Sequence, residues 1–420
     1  MSHTKSIPVQ GTARCLIIGA VLLLTTPKSG RAENSLYFKN QSWQEFGSFP
    51  TKTIYDSNGI GTDVYERRIR VDSQYGQLDY DFTTTTHLSV MGLIDGIVGA
   101  TPTGENLAVK NPTAPVAPPP FAHMEDRRKA WDTSLSHQFD RVSVTVGFAN
   151  SRESDYVSNG ESLNTVTDFN DKNTSLLIGY GRTDDKINEE KLQWSIKRAK
   201  VGNDFMVGVN QLIDMNTSMS VAVSYGQSRG FESDPYKLVS TTHWALDQGV
   251  YHTLPENRPT HKNKVSVFLG LNHSFDAMHG ALDASYRLYD DTYGITSHTM
   301  TLIWLQKVGD SVSIQPSIRW MEQSAADFYY YDLEKAGIVP SIDPILEETG
   351  TGMAPFYSSD YRLSHMRTVD YGLKVVWTVR PWLALDAAVN RYEMHGLDGV
   401  TSQIPYCKAN TITFGVKFMR

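Results

Sequence analysis

Along most of the chain, apolar and polar side chains alternate with a period of two. In residues 309–323 the even positions Val312, Ile314, Pro316, Ile318 and Trp320 are apolar, and the odd ones, Ser311, Ser313, Gln315, Ser317 and Arg319, are polar. Residues 281–290 place Leu282, Ala284, Tyr286 and Leu288 on one face and Asp283, Ser285 and Arg287 on the other. Val265, Val267, Leu269 and Leu271 oppose Lys264, Ser266, Gly270 and Asn272, with Phe268 out of place on the polar side. The same alternation recurs at Val142, Val144, Val146 and Phe148, and at Leu383, Leu385, Ala387 and Val389. A period of two is the signature of a strand with unlike faces.

A soluble β-sandwich also alternates, so length and connections decide between the two. Membrane-crossing strands need about 9 to 11 residues against about 5 to 6 in ordinary sheets, and the segments here are of the longer kind. Aromatic residues gather near their ends, at Tyr286, Tyr289, Trp304, Trp320, Trp377, Trp382 and Tyr392, as in interfacial girdles. Short turns at Gly309-Asp310, at residues 275–280 and 214–216 and at Arg380-Pro381 alternate with long polar connections near 96–127, 184–196, 229–262 and 324–361. Short periplasmic turns and long outer loops give that sorting. The pattern predicts an all-β, transmembrane antiparallel barrel over residues 62–420. About fifteen segments can be counted from residue 62, and such barrels are even-numbered, so one strand before residue 100 is missed or invented; about 16 strands are expected, with 14 next.

The N-terminus reads differently. An apolar run of about ten residues from Cys15 to Leu24, preceded by Lys5 and Arg14 and followed by Gly30-Arg31-Ala32, has the form of a secretory signal peptide over residues 1–32. Residues 33–61 are then expected to be an N-terminal periplasmic segment. A bacterial outer-membrane location follows, with the lipid bilayer as first partner. Residues 408–418 put Ile412, Phe414, Val416 and Phe418 on one face. They resemble the C-terminal strand that barrel-insertion machinery reads, although Met419 and Arg420 follow the aromatic end.

Composition narrows the function classes. The chain has 39 basic and 46 acidic side chains among 420 residues, 40% hydrophobic content and 21 tyrosines, and its mean hydropathy is −0.35. These values exclude a bundle of membrane-spanning helices and a disordered chain. Loss of Lys5, Arg14, Lys28 and Arg31 with the leader would leave the remainder still more acidic, which argues against a nucleic-acid partner. Cys407 would then be the sole cysteine, so no intramolecular disulfide is expected. No phosphate loop, zinc motif, nucleophile elbow or haem-attachment motif is present. Ser297 with His298, and Ser364 with His365, are the neighbouring pairs an outer-membrane hydrolase would need, but such neighbours are common by chance, and no enzyme is expected.

Two groups of residues are candidates for function. Lys264, Asp283, Arg287 and Arg319 share the polar faces of their strands and would project into the lumen. Opposed charges there would orient a polar solute, or would form salt bridges that only stiffen the wall. Acidic and tyrosine-rich clusters supply Glu153, Asp155, Tyr156, Asp234, Tyr236, Asp290, Asp291 and Asp327, each where a strand enters an outer loop. They could form a vestibule whose oxygens bind Ca²⁺ or cationic solutes; the plainer reading, a solvated rim, is preferred, and no metal or cofactor is expected. The proline-rich tract at residues 112–120 reads as a stiff loop.

Several runs together resemble a known family. They are Asp95-Gly96-Ile97-Val98-Gly99-Ala100-Thr101-Pro102-Thr103-Gly104, residues 151–156, Ser233-Asp234-Pro235-Tyr236-Lys237, Glu256-Asn257-Arg258-Pro259, residues 286–291, and Arg319 with residues 323–329. In this order they resemble the exported bacterial family catalogued as domain of unknown function 3570, with Val98 where serine is expected. The resemblance implies an outer-membrane barrel and brings no catalytic residues. It also implies gene neighbours that include flavin-attaching and thioredoxin-like exported proteins, hence possible service to envelope redox partners. The expected function is a porin-like or transporter-like barrel passing or binding a small polar solute. The alternatives are a non-conducting scaffold for exported redox partners and, third, a hydrolase.

Overall fold

A computed structural model describes residues 34–55, 61–105, 121–188, 197–242, 252–340 and 355–420. The signal-peptide segment and the proline tract lie outside these residues. The described chain is built of β1 (Ser35–Glu45), β2 (Ser48–Tyr55), β3 (Gly61–Arg67), β4 (Arg70–Thr83), β5 (Thr86–Pro102), β6 (Phe121–Phe139) and β7 (Val142–Arg152). Next come β8 (Tyr156–Phe169), β9 (Thr174–Asn188), β10 (Lys197–Leu212), β11 (Thr217–Gly230), β12 (Leu238–Thr241), β13 (His252–Pro255) and β14 (His261–Phe275). The chain ends with β15 (Gly280–Asp291), β16 (Thr296–Val308), β17 (Val312–Gln323), β18 (Met366–Arg380), β19 (Leu383–Gly396) and β20 (Lys408–Met419).

Sixteen of these strands form one closed antiparallel barrel, and β2–β3 and β12–β13 are separate two-stranded hairpins within connections. Closure is made by β1, which pairs with β20 from Ser35↔Met419 to Glu45↔Ala409 and with β4 on its other side. The barrel therefore begins at Ser35, not at residue 62. What reads as a periplasmic segment supplies the strand missing from the count. Its outward face carries apolar residues only at Leu36 and Phe38, followed by Asn40, Ser42 and Gln44, so alternation fades after two positions.

The two faces follow the sequence pattern. Leu163, Ile178, Phe205, Val223 and Leu302 are each 44% exposed or more and face outward, as an apolar belt against lipid must. The inner wall is polar, with cross-strand hydrogen bonds such as Ser136–Thr145 and Ser224–Ser266, both 2.7 Å, and Tyr37 to Asp386 at 3.0 Å. At the end that holds Ser35 and Met419, every connection is short. The left-handed backbone these tight turns need falls on Asp140, Asn170, Asp171, Lys172, His279 and Gly309, mostly residue types that tolerate it. The opposite end carries the long connections, with two short exceptions at β7–β8 and β15–β16. Two aromatics that read as girdle residues, Tyr289 and Tyr392, turn inward and pack under the loops.

Candidate functional site

The long connections fold together over the mouth of the lumen at the loop end. Tyr236, from the β11–β12 connection, packs against Ile97 and Met124, which project from the barrel wall, and against Ile69 just before β4. Its hydroxyl donates to Asp155 beside β8. Leu238 N–H donates to Thr103 O at 3.0 Å, and Asn257 and Tyr357 exchange backbone hydrogen bonds at 2.8 and 2.9 Å. Three connections, β5–β6, β11–β14 and β17–β18, are thereby joined. Arg68 fixes a fourth: it pairs with Glu45 at 2.8 Å and donates to the carbonyls of Ile404 and Pro405 at 2.9 and 2.8 Å.

At the centre of this cap lies a buried cluster of three acids and three bases. Arg362 meets Asp360 at 2.5 Å and Asp234 at 2.6 Å. Arg258 meets Glu256 at 2.7 Å and Asp360 at 2.8 Å. Lys237 donates to Pro102 O at 2.5 Å and lies over the Tyr361 ring. Charges this deep persist only when paired and hydrogen-bonded. Burial acts to raise the Asp360 carboxyl, but Arg362, Lys237 and Arg258 hold it well below the usual carboxylate range. Burial pushes Glu256 up against the pull of Arg258. Burial and the neighbouring Arg362 charge push Lys237 down to about 8.

Below the cap the wall presents the lumen candidates. Lys264 pairs with Asp204 at 2.9 Å. Asp283 projects from β15 near the short-turn end, and Arg287 lies two repeats above it on the same face. Arg287 stacks on Phe268 with its guanidinium carbon 5.8 Å from the ring centroid, which accounts for the aromatic on the polar face of β14. Arg319, on β17, is close enough to Arg287 for the two charges to repel. Among the described residues neither arginine makes an ion pair, so this wall of the lumen presents two unbridged cations, with Asp370 of β18 directly opposite Arg319.

The rim candidates do not form a single vestibule. Asp234 and Tyr236 are absorbed into the cap. Glu153 and Asp155 meet Asp126, with carboxylate oxygens within 4.8 Å of one another, while Tyr156 donates to Asp185 at 2.5 Å. Asp291 is buried, pairs with Lys262 at 2.8 Å and accepts from Tyr289 at 2.6 Å. Asp290 accepts from Thr296 at 2.8 Å, and Asp327 is exposed beside Gly294. Sequence reasoning missed Glu256, Arg258, Asp360 and Arg362 as a unit, because their partners stand up to 128 residues apart in aperiodic loops. The serine–histidine neighbours do not converge. Adjacent strand residues Ser297 and His298 face opposite sides, and Ser364 is fully buried, donating to Tyr361 O at 2.6 Å.

The profile of the family described as "Protein of unknown function (DUF3570)" matches residues 31–197 and 188–417. The chain belongs to the DUF3570 family. No curated protein matches it. Among solved structures, the DUF3570 barrel is similar to the siderophore receptor PirA from Pseudomonas aeruginosa, with 10% identity, 87% of this chain and 56% of that chain covered, and a TM-score of 0.39. It is also similar to the CymD monoaromatic hydrocarbon channel, with 9% identity, 93% and 89% coverage and a TM-score of 0.39. OccK1 from Pseudomonas aeruginosa gives 7% identity, 93% and 98% coverage and a TM-score of 0.38. The DUF3570 chain spans little more than half the length of the PirA receptor.

Proposed function

We propose that this DUF3570 protein is a bacterial outer-membrane barrel that passes or binds a small polar solute in a charged lumen whose outer mouth is gated by the folded cap. The observation that carries the reading is the pair Arg287 and Arg319, which project from the inner wall without ion-pair partners among the described residues. A wall built only for rigidity would neutralise such charges internally, as Lys264 and Asp204 do at 2.9 Å. The reading needs no catalytic residue, metal or cofactor. Its partners are the bilayer around the apolar belt and the insertion machinery that would read β20 up to Phe418.

The cap itself favours a second reading. Loops joined by buried ion pairs suit a non-conducting barrel that serves as a scaffold for exported redox partners. Conductance of the purified, refolded protein in a planar bilayer separates the two. Stable ohmic steps are expected, with a reversal potential that moves toward cation preference in Arg287→Ala and Arg319→Ala. Absence of conductance in both the wild type and the cap-loosened Arg362→Ala would overturn the solute-passing reading and leave the scaffold.

A further inference from the structure

The outward face of the barrel carries a row of positive charge that makes no ion pair among the described residues. Just beyond the apolar belt at the loop end, Lys129 of β6 stands directly opposite Arg152 of β7, Arg152 opposite Val157 of β8, and Val157 opposite Lys186 of β9. Neighbouring strands are about 4.8 Å apart, so three cations occupy one short row around the wall. Arg127 lies one repeat further from the belt on the same face of β6. All four side chains are exposed, and among the described residues none of them makes an ion pair.

Like charges directly opposite one another weaken a sheet unless a counter-charge is supplied. The exposed acid Glu161 lies two repeats below the row on β8, opposite Arg182, and the outward acids nearer the row are engaged. Asp184 is held by Arg182 at 3.0 Å and Asp72 by Arg70 at 2.8 Å, while Glu125 is drawn toward His123 at 4.0 Å. On the same face Trp131 lies directly below the row and Phe148 two repeats below it, both about half exposed. An aromatic ring at the edge of the belt marks the level of lipid headgroups, and the cations stand just above it. Lysine and arginine at that depth meet headgroup phosphates.

We propose that Lys129, Arg152 and Lys186, assisted by Arg127, form a binding site for a phosphorylated, anionic lipid of the leaflet at the loop end. The lipid's phosphates would bridge the cations while its acyl chains lie along the belt beneath. This inference rests on the reading that the barrel sits in the outer membrane with its loops outward.

The test uses the full refolded barrel in neutral detergent, with lipid retention measured by native mass spectrometry. Phosphatidylglycerol, a doubly phosphorylated glucosamine lipid, phosphatidylcholine and inorganic phosphate serve as probes. The wild type is expected to retain the phosphorylated lipids and release phosphatidylcholine. Each exposed cation contributes about a fivefold gain in affinity, so Lys129→Gln/Arg152→Gln/Lys186→Gln together should lose about a hundredfold. Arg182→Gln, which removes a cation that is already paired, should change retention little. Equal retention by the triple variant, an equal loss in Arg182→Gln, or full competition by inorganic phosphate would each overturn the site. Flotation with vesicles and heat-modifiable migration are checked alongside. A barrel that inserts but shows no phosphate preference refutes this site alone; one that never inserts refutes the membrane reading and the site with it.

Discussion

Replacing Arg362 with alanine should unlatch the cap and leave the barrel standing. The guanidinium meets Asp360 at 2.5 Å and Asp234 at 2.6 Å, and those side chains are only 1% and 4% exposed. Removal of the cation leaves two buried carboxylates sharing what is left of the cluster, and such a break costs about 3 to 5 kcal/mol. Arg182–Asp184 is the internal control, because its side chains are 38% and 50% exposed and solvent screens an exposed pair to little effect. The strand ladders do not pass through Arg362, so the loss should fall on cap opening. At about 1.4 kcal/mol per tenfold, the opening equilibrium should rise by roughly 10² to 10⁴. Hydrogen exchange read by mass spectrometry would report it as lost protection in peptides from residues 231–242 and 355–365, with β-strand peptides unchanged. Heat-modifiable gel migration checks that the barrel is intact. If Arg362→Ala protects its loops as well as Arg182→Ala does, the cluster does not latch the cap.

Three further outcomes follow from the same geometry. Burial and the neighbouring Arg362 push Lys237 down to about 8 from its ordinary 10.5, so between these values the opened state binds more protons and the cap should tighten as pH rises. Protease nicking of the loops should slow across that window, and Lys237→Met should abolish the slope. In the wall, Arg128 and Asp95 form a pair at 2.5 Å with 4% and 3% exposure, so Arg128→Ala should cost the barrel about 3 to 5 kcal/mol in urea unfolding, with Arg182→Ala near zero. Gly99 has φ +134°, and an added Cβ would lie 2.7 Å from Arg68 O; Gly99→Ala should lower stability by about 1 to 3 kcal/mol in the same assay.

Much of the barrel was legible because its strands obey one rule for long enough to be seen. Val312 to Trp320 and Leu282 to Leu288 alternate over a full crossing, and lipid outside with polar groups inside requires that. β1 escaped notice where the rule lapses: its outer half meets no wide apolar belt, and polar Ser42 and Gln44 face outward without penalty. Phe268 breaks the alternation of β14 because it lies under the Arg287 guanidinium, a contact with no sequence signal. Tyr289 and Tyr392 read as girdle residues because an aromatic at a strand end looks the same from either side of the wall, and only the loops that pack on it reveal the face. The cap was the least legible part. Its contacts run between loops, where no period constrains the residues, and Asp360 with Arg258 or Asp234 with Arg362 are pairs that only the closed fold brings together.

The seam between β1 and β20 has a consequence for how such a chain reaches its final form. Ser35 faces Met419 across it, so the last ladder joins residues at the extreme ends of the described sequence, and loop-closure entropy is greatest for that pairing. Until the C-terminal strand arrives, a partly zipped sheet has two open edges, each a template for a wrong neighbour. Hairpins joined by tight turns can form early and cheaply, and each one shortens the flexible chain left between the two seam strands. A circular permutant that joins the two termini and opens one of the short turns would keep the same sheet while moving the seam, and comparing its refolding yield with that of the natural order would measure how much the placement of that seam costs.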